Sequence, residues 1–460
     1  MISSVGSSIF SQMKIFCFIT VTIIAGATFF FPCLGLAGRT MTLDQCIEQG
    51  IKNNTTLQAS RFDIQSAGYD IKAARADFFP SLSTGYGVNE IISQSAIGPT
   101  DSDYLDQNIS RFNVKLSQIL YAGQRIINTY DKALIRKKAI EAETLMDLLE
   151  LEYKIETTFY RLLKAKQDAI AGTESVERLT ESVKSAQAFF NSELVPYVNV
   201  LQAQVDLADA SEKLGISQND VNRERVALFS LMNQSADADI VFSGDLAPVA
   251  PAVPDFTTTL GKALENRPDI ESLGLQMEIA RKDAHIALGK YLPSARLDAV
   301  YNDQKNDYDS LATSGVSSFD RDQHNKYWSV GVNVTWELFD GGRGWYEKRK
   351  FDTQVLRFKA LINEAENTIS AGIRQALLSM AEADQRMQGS LSALEAAKEY
   401  FALEENRLNA GISTIPDFLD AQDRLIRSQG NYARAILDFR LAESELKLMV
   451  GKTPNISLIK

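Results

Sequence analysis

Beyond its first 37 residues, the chain has very little cysteine or histidine. Two of the three cysteines lie in the apolar N-terminal stretch, which leaves Cys46 alone. A single thiol cannot form an internal disulfide, so the fold is not a disulfide scaffold. His285 and His324 are the only histidines, and neither belongs to a recognisable metal-ligand motif. We therefore expect no metal site and no cofactor.

Catalytic motifs and clustered basic charge are also missing. No nucleophile elbow or comparable motif occurs, so no set of residues supports an enzyme. The net charge is −11, from 48 Lys and Arg against 59 Asp and Glu, and no run of like charges stands out. Because phosphate binding requires clustered Lys and Arg, the composition argues against nucleic acid as a partner.

Long apolar runs are confined to the N-terminus. Ile15–Phe31 is apolar, follows Met13-Lys14 and precedes the small-x-small site Gly35-Leu36-Ala37. This order predicts a signal peptide over residues 1–37, with translation starting at Met1 or Met13. A lipoprotein signal at Cys33 is the weaker alternative, because the preceding residue is a proline. No later segment reaches ~18 apolar residues, so any crossing of a membrane would have to use strands.

One stretch alternates without a fault from Trp328 to Leu338. One side carries only large apolar residues, and the other carries Ser, Gly, Asn, Thr and Glu; the apolar residues are Trp328, Val330, Val332, Val334, Trp336 and Leu338. A period of two predicts a strand, and ~9–11 residues are enough to cross the hydrocarbon core. Tryptophan near each end is typical of the aromatic girdles of membrane barrels. A soluble, half-buried strand remains the alternative from the pattern alone.

Proline and glycine are almost absent from a stretch of about 66 residues, Gln124–Phe190, which at 1.5 Å per residue predicts a helix about 100 Å long. A returning helix is expected over Val198–Asn233. Such length is typical of a coiled coil or a helical barrel rather than a globular core.

The same order of elements then starts again. Pro80 and Pro293 are 213 positions apart, whereas Gly123 and Gly341, like Leu201 and Leu419, are 218 apart. This spacing indicates a tandem duplication. The expected divisions are a first repeat over 38–234 with strands 81–88 and 112–120, a linker over 235–257, a second repeat over 258–451 with strands 294–301 and 328–338, and a tail over 452–460. Asn89–Asn108 and Asn302–Lys326 are expected to be external loops.

Four strands per chain cannot close a membrane barrel alone, and an open sheet edge in lipid leaves backbone groups unpaired. Either the strands form a small soluble sheet, or several copies share one barrel. Three copies would supply twelve strands, which is within the range of membrane barrels.

The chain resembles the TolC family of outer-membrane efflux and secretion channels. The resemblance covers nearly all of Met41–Gly451 and rests on the duplicated order together with local motifs. These motifs are Thr42-Leu43 with Asn53-Asn54 and Leu57, Phe78-Phe79-Pro80, Tyr291-Leu292-Pro293, Leu338–Arg343 and Gly411–Gln422.

The family implies an α+β membrane protein. Three identical chains would form a twelve-stranded β-barrel in the outer membrane, continued by a long α-helical barrel in the periplasm. The channel would dock onto a periplasmic adaptor and an inner-membrane ABC or proton-driven pump. It would be the exit duct of a tripartite efflux or type I secretion system, for drugs or for secreted proteins. A periplasmic coiled-coil scaffold or adaptor without a membrane barrel is the alternative.

Asp417 and Asp420 lie on one face at the start of the last helix. Taken alone, acids there favour the helix dipole, with Ser413 or Thr414 as the cap. The resemblance implies instead that they match the acidic pair lining the closed periplasmic entrance, as stacked rings of carboxylates in a trimer. Family members often have a basic residue where Ser413 stands.

The two helix turns are expected to be the tips that contact the adaptor, through Gly411, Ile412 and Ser413 in one and Leu194 and Val195 in the other. Only the second-repeat turn contains a glycine. Gly341-Gly342-Arg343-Gly344 stands where a phosphate loop would lie, but it lacks the lysine and is reduced to Ala122-Gly123-Gln124-Arg125 in the first repeat. We interpret it as a turn.

Overall fold

The computed structural model describes residues 39–98, 101–236, 238–244, 253–310 and 323–451. The signal peptide expected over 1–37 and the tail over 452–460 lie outside these ranges, as does much of the linker. The first repeat contains β1 (Arg39–Met41), α1 (Leu43–Asn53), α2 (Thr55–Ala76), β2 (Ser81–Gly98), β3 (Asp101–Ala122), α3 (Arg125–Asn191) and α4 (Tyr197–Leu231). After β4 (Ile240–Phe242), the second contains α5 (Phe256–Asn266), α6 (Pro268–Gly289), β5 (Ser294–Ser310), β6 (Gln323–Thr335), α7 (Arg343–Asn409) and α8 (Ile415–Val450).

The two long helices have the same length. α3 and α7 contain 67 residues each, which corresponds to about 100 Å. Each is continuous because no proline interrupts its hydrogen bonds, and each ends in a tight turn that sends α4 or α8 back along it. The structure is thus dominated by two long antiparallel helical hairpins, one from each half of the chain.

Four strands form one antiparallel sheet in the order β2-β3-β5-β6, while β1 and β4 pair in parallel in a separate two-stranded sheet. Because the two strand pairs meet through β3 and β5, the duplicated halves share one continuous sheet. The strands at its two edges are β2 and β6.

The polar segments interpreted as loops are largely strand, so those expectations were wrong. Pairing continues through Asn89↔Ile109 and Glu90↔Asn108, and β2 and β3 extend to Gly98 and Asp101. In the second repeat, β5 extends to Ser310 and β6 begins at Gln323. Backbone hydrogen bonds between strands can continue wherever a partner strand is present. Polar side chains do not prevent them, because a low β-propensity only makes the strand less favourable.

The strand expected over 328–338 ends three residues early, at Thr335. The indole Nε1 of Trp336 donates a hydrogen bond of 2.9 Å to the carbonyl of Tyr291. This contact holds Trp336 beside the corner between α6 and β5, so the chain leaves the ladder before Leu338.

Two hydrophobic cores lie at related places in the two repeats. Ile155 in the first core and Ile373 in the second are both fully buried and are 218 positions apart. Leu228 and Leu446 are also buried and differ by the same 218 positions. The cores join α3 to α4 and α7 to α8 at the ends of the hairpins remote from their turns. Burying each such side chain contributes about 2 kcal/mol, so these cores anchor both hairpins.

Across the described ranges, none of the helices has the length and apolar character needed to span a membrane.

Candidate functional site

The four-stranded sheet has one apolar and one polar face. Trp328, Val330, Val332 and Val334 lie on the same side of β6 and are all largely exposed, as is Trp336 just beyond it. The pairing continues this face across the sheet, because Trp328 opposes Tyr301, with ring centroids 4.8 Å apart. An apolar surface of this extent needs a covering, and the described residues of a single chain do not provide one.

The opposite face carries a polar cluster at its centre. Asp298 accepts hydrogen bonds from Ser117 and from Asn333, the latter at 2.7 Å, and forms an ion pair of 3.3 Å with Lys115. These side chains come from three neighbouring strands, so the polar face is fixed across the sheet. The two faces are therefore suited to lipid on one side and water on the other.

The turn between α7 and α8 is closed by backbone and side-chain hydrogen bonds. Gly411 has φ 71°, a left-handed conformation that glycine adopts without strain. The N–H groups of Ile412 and Ser413 donate to the carbonyl of Arg407 at 2.9 and 3.2 Å. The Ser413 hydroxyl also donates to Glu404, at 2.6 Å.

Glu404 is the centre of this turn, although the sequence analysis did not single it out. Its carboxylate is buried and also accepts a hydrogen bond of 2.5 Å from the guanidinium of Arg407. Ser413 is thus hydrogen-bonded within its own hairpin. No sequence motif marks Glu404, because its partner Ser413 is nine residues away and lies beyond the turn.

Asp417 and Asp420 lie one turn apart at the start of α8, and both are exposed. The Thr414 hydroxyl donates to the Asp417 carboxylate at 2.6 Å and accepts from the Asp417 N–H at 3.4 Å, which makes Thr414 the cap. Asp420 forms an ion pair of 2.8 Å with Arg424. The guanidinium of Arg424 lies 5.9 Å from the ring centre of Tyr400 on α7. The negative charge of Asp420 is therefore partly balanced within the chain, as the four-residue spacing to Arg424 could have indicated.

The first-repeat turn reaches the same geometry without glycine. Glu193 has φ 58°, and the N–H of Leu194 donates to the carbonyl of Phe189 at 2.9 Å. Phe190 and Tyr197 brace the turn, with ring centroids 5.2 Å apart. Val195 is half-buried.

Each turn presents one large apolar side chain to solvent. Leu194 is 69% exposed in the first turn, and Ile412 is 71% exposed in the second. An isolated exposed apolar residue needs no explanation, but here both turns place one at the extreme end of a helical hairpin. The two tips therefore offer similar contact points to a partner.

The glycine-rich segment before α7 is a turn closed by Asp340. The carboxylate of Asp340 accepts hydrogen bonds from the N–H groups of Gly342 at 2.9 Å and Gly344 at 2.8 Å. The hydrogen bond from the N–H of Gly344 has the largest effect and holds the pKa of Asp340 below its usual range. The N–H of Gly342 adds to this shift, whereas partial desolvation opposes it. The N–H groups that a phosphate would need are thus already occupied.

Comparison with known proteins agrees with this architecture. The model of the outer membrane efflux protein family matches residues 46–234 and 259–452, one match in each repeat. The solvent efflux pump outer membrane protein SrpC of Pseudomonas putida is 24% identical over 426 residues, which cover 89% of this chain and 85% of that protein. The pyoverdine export outer membrane protein OpmQ of Pseudomonas aeruginosa is 23% identical, with 89% and 83% covered.

Solved structures show the same fold. The outer-membrane channel OprN superimposes with a TM-score of 0.72 at 18% identity, covering 89% of each chain. The CmeC outer membrane channel of Campylobacter jejuni gives a TM-score of 0.73 at 16% identity, covering 89% of this chain and 85% of that one.

These findings define a transport protein of the outer membrane. The chain belongs to the outer membrane efflux protein family. The resemblance to TolC-type channels is confirmed, as is the expected combination of long helical hairpins with an antiparallel sheet.

Proposed function

We propose that three copies of this chain form the outer-membrane channel of a tripartite efflux system. The observation that carries the proposal is the four-stranded sheet with two open edges, β2 and β6, joined to helices about 100 Å long. Neighbouring strands all run antiparallel, so β6 of one copy can pair with β2 of the next without reversing the alternation. Twelve strands closed in this way leave no unpaired edge in lipid.

In this assembly the apolar face of the sheet contacts lipid. Trp328, Val330, Val332, Val334 and Trp336 face the hydrocarbon, and the cluster around Asp298 faces the water of the lumen. The two repeats, 38–234 and 258–451, contribute equally to the barrel and to the periplasmic helices, and 235–257 connects them. The helical turns then form the end of the channel that is remote from the membrane.

Small organic molecules are the proposed cargo. SrpC is named for solvents and OpmQ for pyoverdine, and both are outer membrane components of export systems. A channel of this kind is passive, so an inner-membrane pump, of the ABC or proton-driven class, supplies the energy through a periplasmic adaptor. Leu194 and Val195 at one tip, with Gly411, Ile412 and Ser413 at the other, are the proposed adaptor contacts.

Asp417 and Asp420 are the proposed entrance gate. In a trimer they form two rings of three carboxylates, one turn apart along α8. Such rings attract cations and oppose the close approach of the three helices to one another. Arg424 moderates the Asp420 ring through its ion pair.

Membrane fractionation and efflux assays test this proposal. The chain should be found in the outer membrane as a trimer that migrates differently on gels before and after boiling. It should restore resistance to an efflux substrate in cells that lack their own channel but keep the matching adaptor and pump. A soluble monomer in the periplasm would instead support the coiled-coil scaffold.

A further inference from the structure

The helices next to the sheet form a layer with two open edges. α2 contacts α3, α3 contacts α6, and α6 contacts α7, which is the order of the strands to which these helices are joined. α2 and α7 therefore lie at opposite edges of the layer, as β2 and β6 do in the sheet. Each has a face that the described residues of one chain leave uncovered, and on α2 this face includes Tyr69, which is 57% exposed.

The contact between α3 and α6 joins the two repeats inside one chain. α6 and α2 contain 22 residues each and are offset by 213 positions, whereas α7 and α3 contain 67 residues each and are offset by 218. Because α6 matches α2 and α3 matches α7, the duplication makes the contact of α3 with α6 a template for a contact of α7 with α2 of another copy.

One ion pair of the template has an exact counterpart on the two edges. Lys132 on α3 pairs with Asp283 on α6 at 2.7 Å. The two offsets carry these positions to Lys350 on α7 and Asp70 on α2, with the same charges. Both side chains are exposed, and neither forms an ion pair within 4.0 Å in the described part of a single chain. The edges thus carry opposite charges at matched positions.

The second ion pair of the template is replaced by a different attraction. Asp131 on α3 pairs with Lys282 on α6 at 2.7 Å. The matching positions are Arg349 on α7 and Tyr69 on α2, both exposed. A guanidinium is attracted to the face of a tyrosine ring, so this combination also favours contact.

Both groups already make a cation–π contact within their own chain. The guanidinium of Arg349 lies 5.0 Å from the ring centre of Trp345, and the ammonium of Lys72 lies 5.0 Å from that of Tyr69. A planar guanidinium and a planar ring each have two faces, so these contacts do not exclude the one between α7 and α2.

The ends of the helices near the sheet show the same relationship. Gly123, before α3, lies so close to Gly289 at the end of α6 that a Cβ on Gly123 would be 2.2 Å from the Gly289 carbonyl oxygen. A Cβ on the matching Gly341 would meet no atom of the described residues within 4 Å. Ala76 stands in place of Gly289, so two copies would approach less closely here than α3 and α6 do.

The match does not extend along the whole of α2. The side-chain amide of Gln276 on α6 donates to Glu143 on α3 at 2.9 Å, but the matching positions carry Asp63 and Leu361. The complementary contacts are therefore confined to the end of the layer that is nearer the sheet.

We propose that the start of α7 packs against the end of α2 of the next copy, with Lys350 paired to Asp70 and Arg349 stacked on Tyr69. This inference rests on the trimer proposed above and adds the residues through which its helices meet. Junctions inside chains and junctions between chains then alternate around a closed ring. The first kind has two ion pairs, and the second has one ion pair and one cation–π contact.

Chemical cross-linking of the full-length protein in outer membranes tests the position of the junction. Asp70→Cys combined with Lys350→Cys, treated with a short bis-maleimide, should give covalent dimers and trimers on boiled gels. Lys132→Cys with Asp283→Cys is the reference, because its link lies inside one chain and should give only monomers. Asp70→Cys or Lys350→Cys alone should also remain monomeric, since Cys46 is buried.

Exchange of the charged partners tests the ion pair. Lys350→Asp and Asp70→Lys each place like charges opposite one another at every junction between copies. Each should lower the temperature at which half of the trimer dissociates on unboiled gels by roughly 5 °C. The combined variant restores the pair with its charges reversed, so it should recover most of this loss.

The second contact can be converted into the ion pair of the template. Tyr69→Lys alone places a lysine opposite Arg349 and should destabilise the trimer. Addition of Arg349→Asp reproduces the pair of Lys282 with Asp131, so the combined variant should recover the stability of the unmodified trimer. Lys262→Asp, a matched reversal at an exposed position of α5, should dissociate as the unmodified chain does.

The inference is overturned if the unmodified chain is a trimer but the pair Asp70→Cys with Lys350→Cys gives no covalent trimer. It is also overturned if neither combined variant is more stable than its single variants, or if Lys262→Asp destabilises the trimer as much as Lys350→Asp. A chain that is not a trimer at all would overturn the proposed function as well, so the two failures can be told apart.

Discussion

The guanidinium Nη1 of Arg267 donates a hydrogen bond of 3.3 Å to the main-chain carbonyl of Met449. In the first repeat, the side-chain amide of Asn54 donates a bond of 3.0 Å to the carbonyl of Leu231. Arg267 follows Asn54 by 213 positions and Met449 follows Leu231 by 218, the two offsets of the duplication. In each repeat, therefore, a side chain at the junction of the first two helices donates a hydrogen bond to a carbonyl at the end of the last helix. The side chain is Asn54 in the first repeat and Arg267 in the second.

Replacing Arg267 should destabilise the second repeat. Arg267 is buried and also pairs with Asp269, so Arg267→Ala leaves a carbonyl and a carboxylate without their donor. The expected loss is about 2–3 kcal/mol of unfolding free energy, seen as a lower thermal midpoint. Arg281→Ala, at an exposed position on α6, should change it by less than about 0.5 kcal/mol. Equal midpoints for the two variants would contradict the prediction.

The turn between α7 and α8 should loosen when Glu404 is replaced. Glu404→Ala removes the acceptor of Ser413 and Arg407, which is worth about 2 kcal/mol locally. Hydrogen–deuterium exchange at the Gly411 and Ile412 amides should speed up about tenfold or more. Glu405→Ala, at the exposed neighbouring position, is the matched control and should leave exchange at the turn unchanged.

The balance between Asp420 and Arg424 should set the response of the proposed gate to cations. Arg424→Ala frees the Asp420 carboxylate, so block of single-channel current by multivalent cations should become stronger. Asp417→Ala with Asp420→Ala should relieve the block and raise conductance. Arg434→Ala, further along α8, removes an equal charge and should have little effect. Unchanged currents in both gate variants would remove these residues from the gate.

A glycine at position 193 should stabilise the first turn. Glu193 has φ 58°, a left-handed conformation that costs a residue with a Cβ about 1 kcal/mol, whereas Gly411 avoids that cost at the other turn. Glu193→Gly should therefore raise the local stability of the turn by up to about 1 kcal/mol, measurable as slower amide exchange at Leu194. Faster exchange in this variant would show that the Glu193 side chain itself stabilises the turn.

The Cys46 thiol should be inert in the folded protein. Burial raises its pKa to about 12, so the reactive thiolate is scarce at pH 8. A disulfide reagent should modify Cys46 only after denaturation. An unfolded thiol has a pKa of about 8.5, so the buried thiol contributes to the free energy of unfolding below that pH, and this contribution is lost as pH rises toward the folded pKa. In Cys46→Ala, the free energy of unfolding should therefore fall less at alkaline pH. Rapid modification of Cys46 in the native protein would contradict its burial.

The sequence allowed the helices and the duplication to be predicted because both depend on local patterns. α3 and α7 lack proline, and the paired landmarks Pro80 and Pro293 keep their spacing. The strand ends could not be predicted from such patterns. Asn89 and Asn108 are polar, and only the presence of a neighbouring strand shows that their backbone groups are paired.

The environment of the candidate gate was only partly visible in the sequence. Arg424 is four residues from Asp420, a spacing that can be recognised along a helix. Glu404, in contrast, meets Ser413 only after the chain has turned. Contacts made across the turn or between hairpins depend on the fold as a whole.

In the proposed trimer, the free edges of β2 and β6 also affect how the protein is made. A newly synthesised chain would satisfy these edges by meeting other copies, so the rate of maturation should depend on subunit concentration. Until then each chain exposes two edge strands with unpaired backbone groups, and it requires protection from aggregation. A variant that pairs normally through β2 but not through β6 would still enter assemblies and block their closure. Defects at β6 should therefore be genetically dominant, because one faulty subunit disables the normal copies to which it binds.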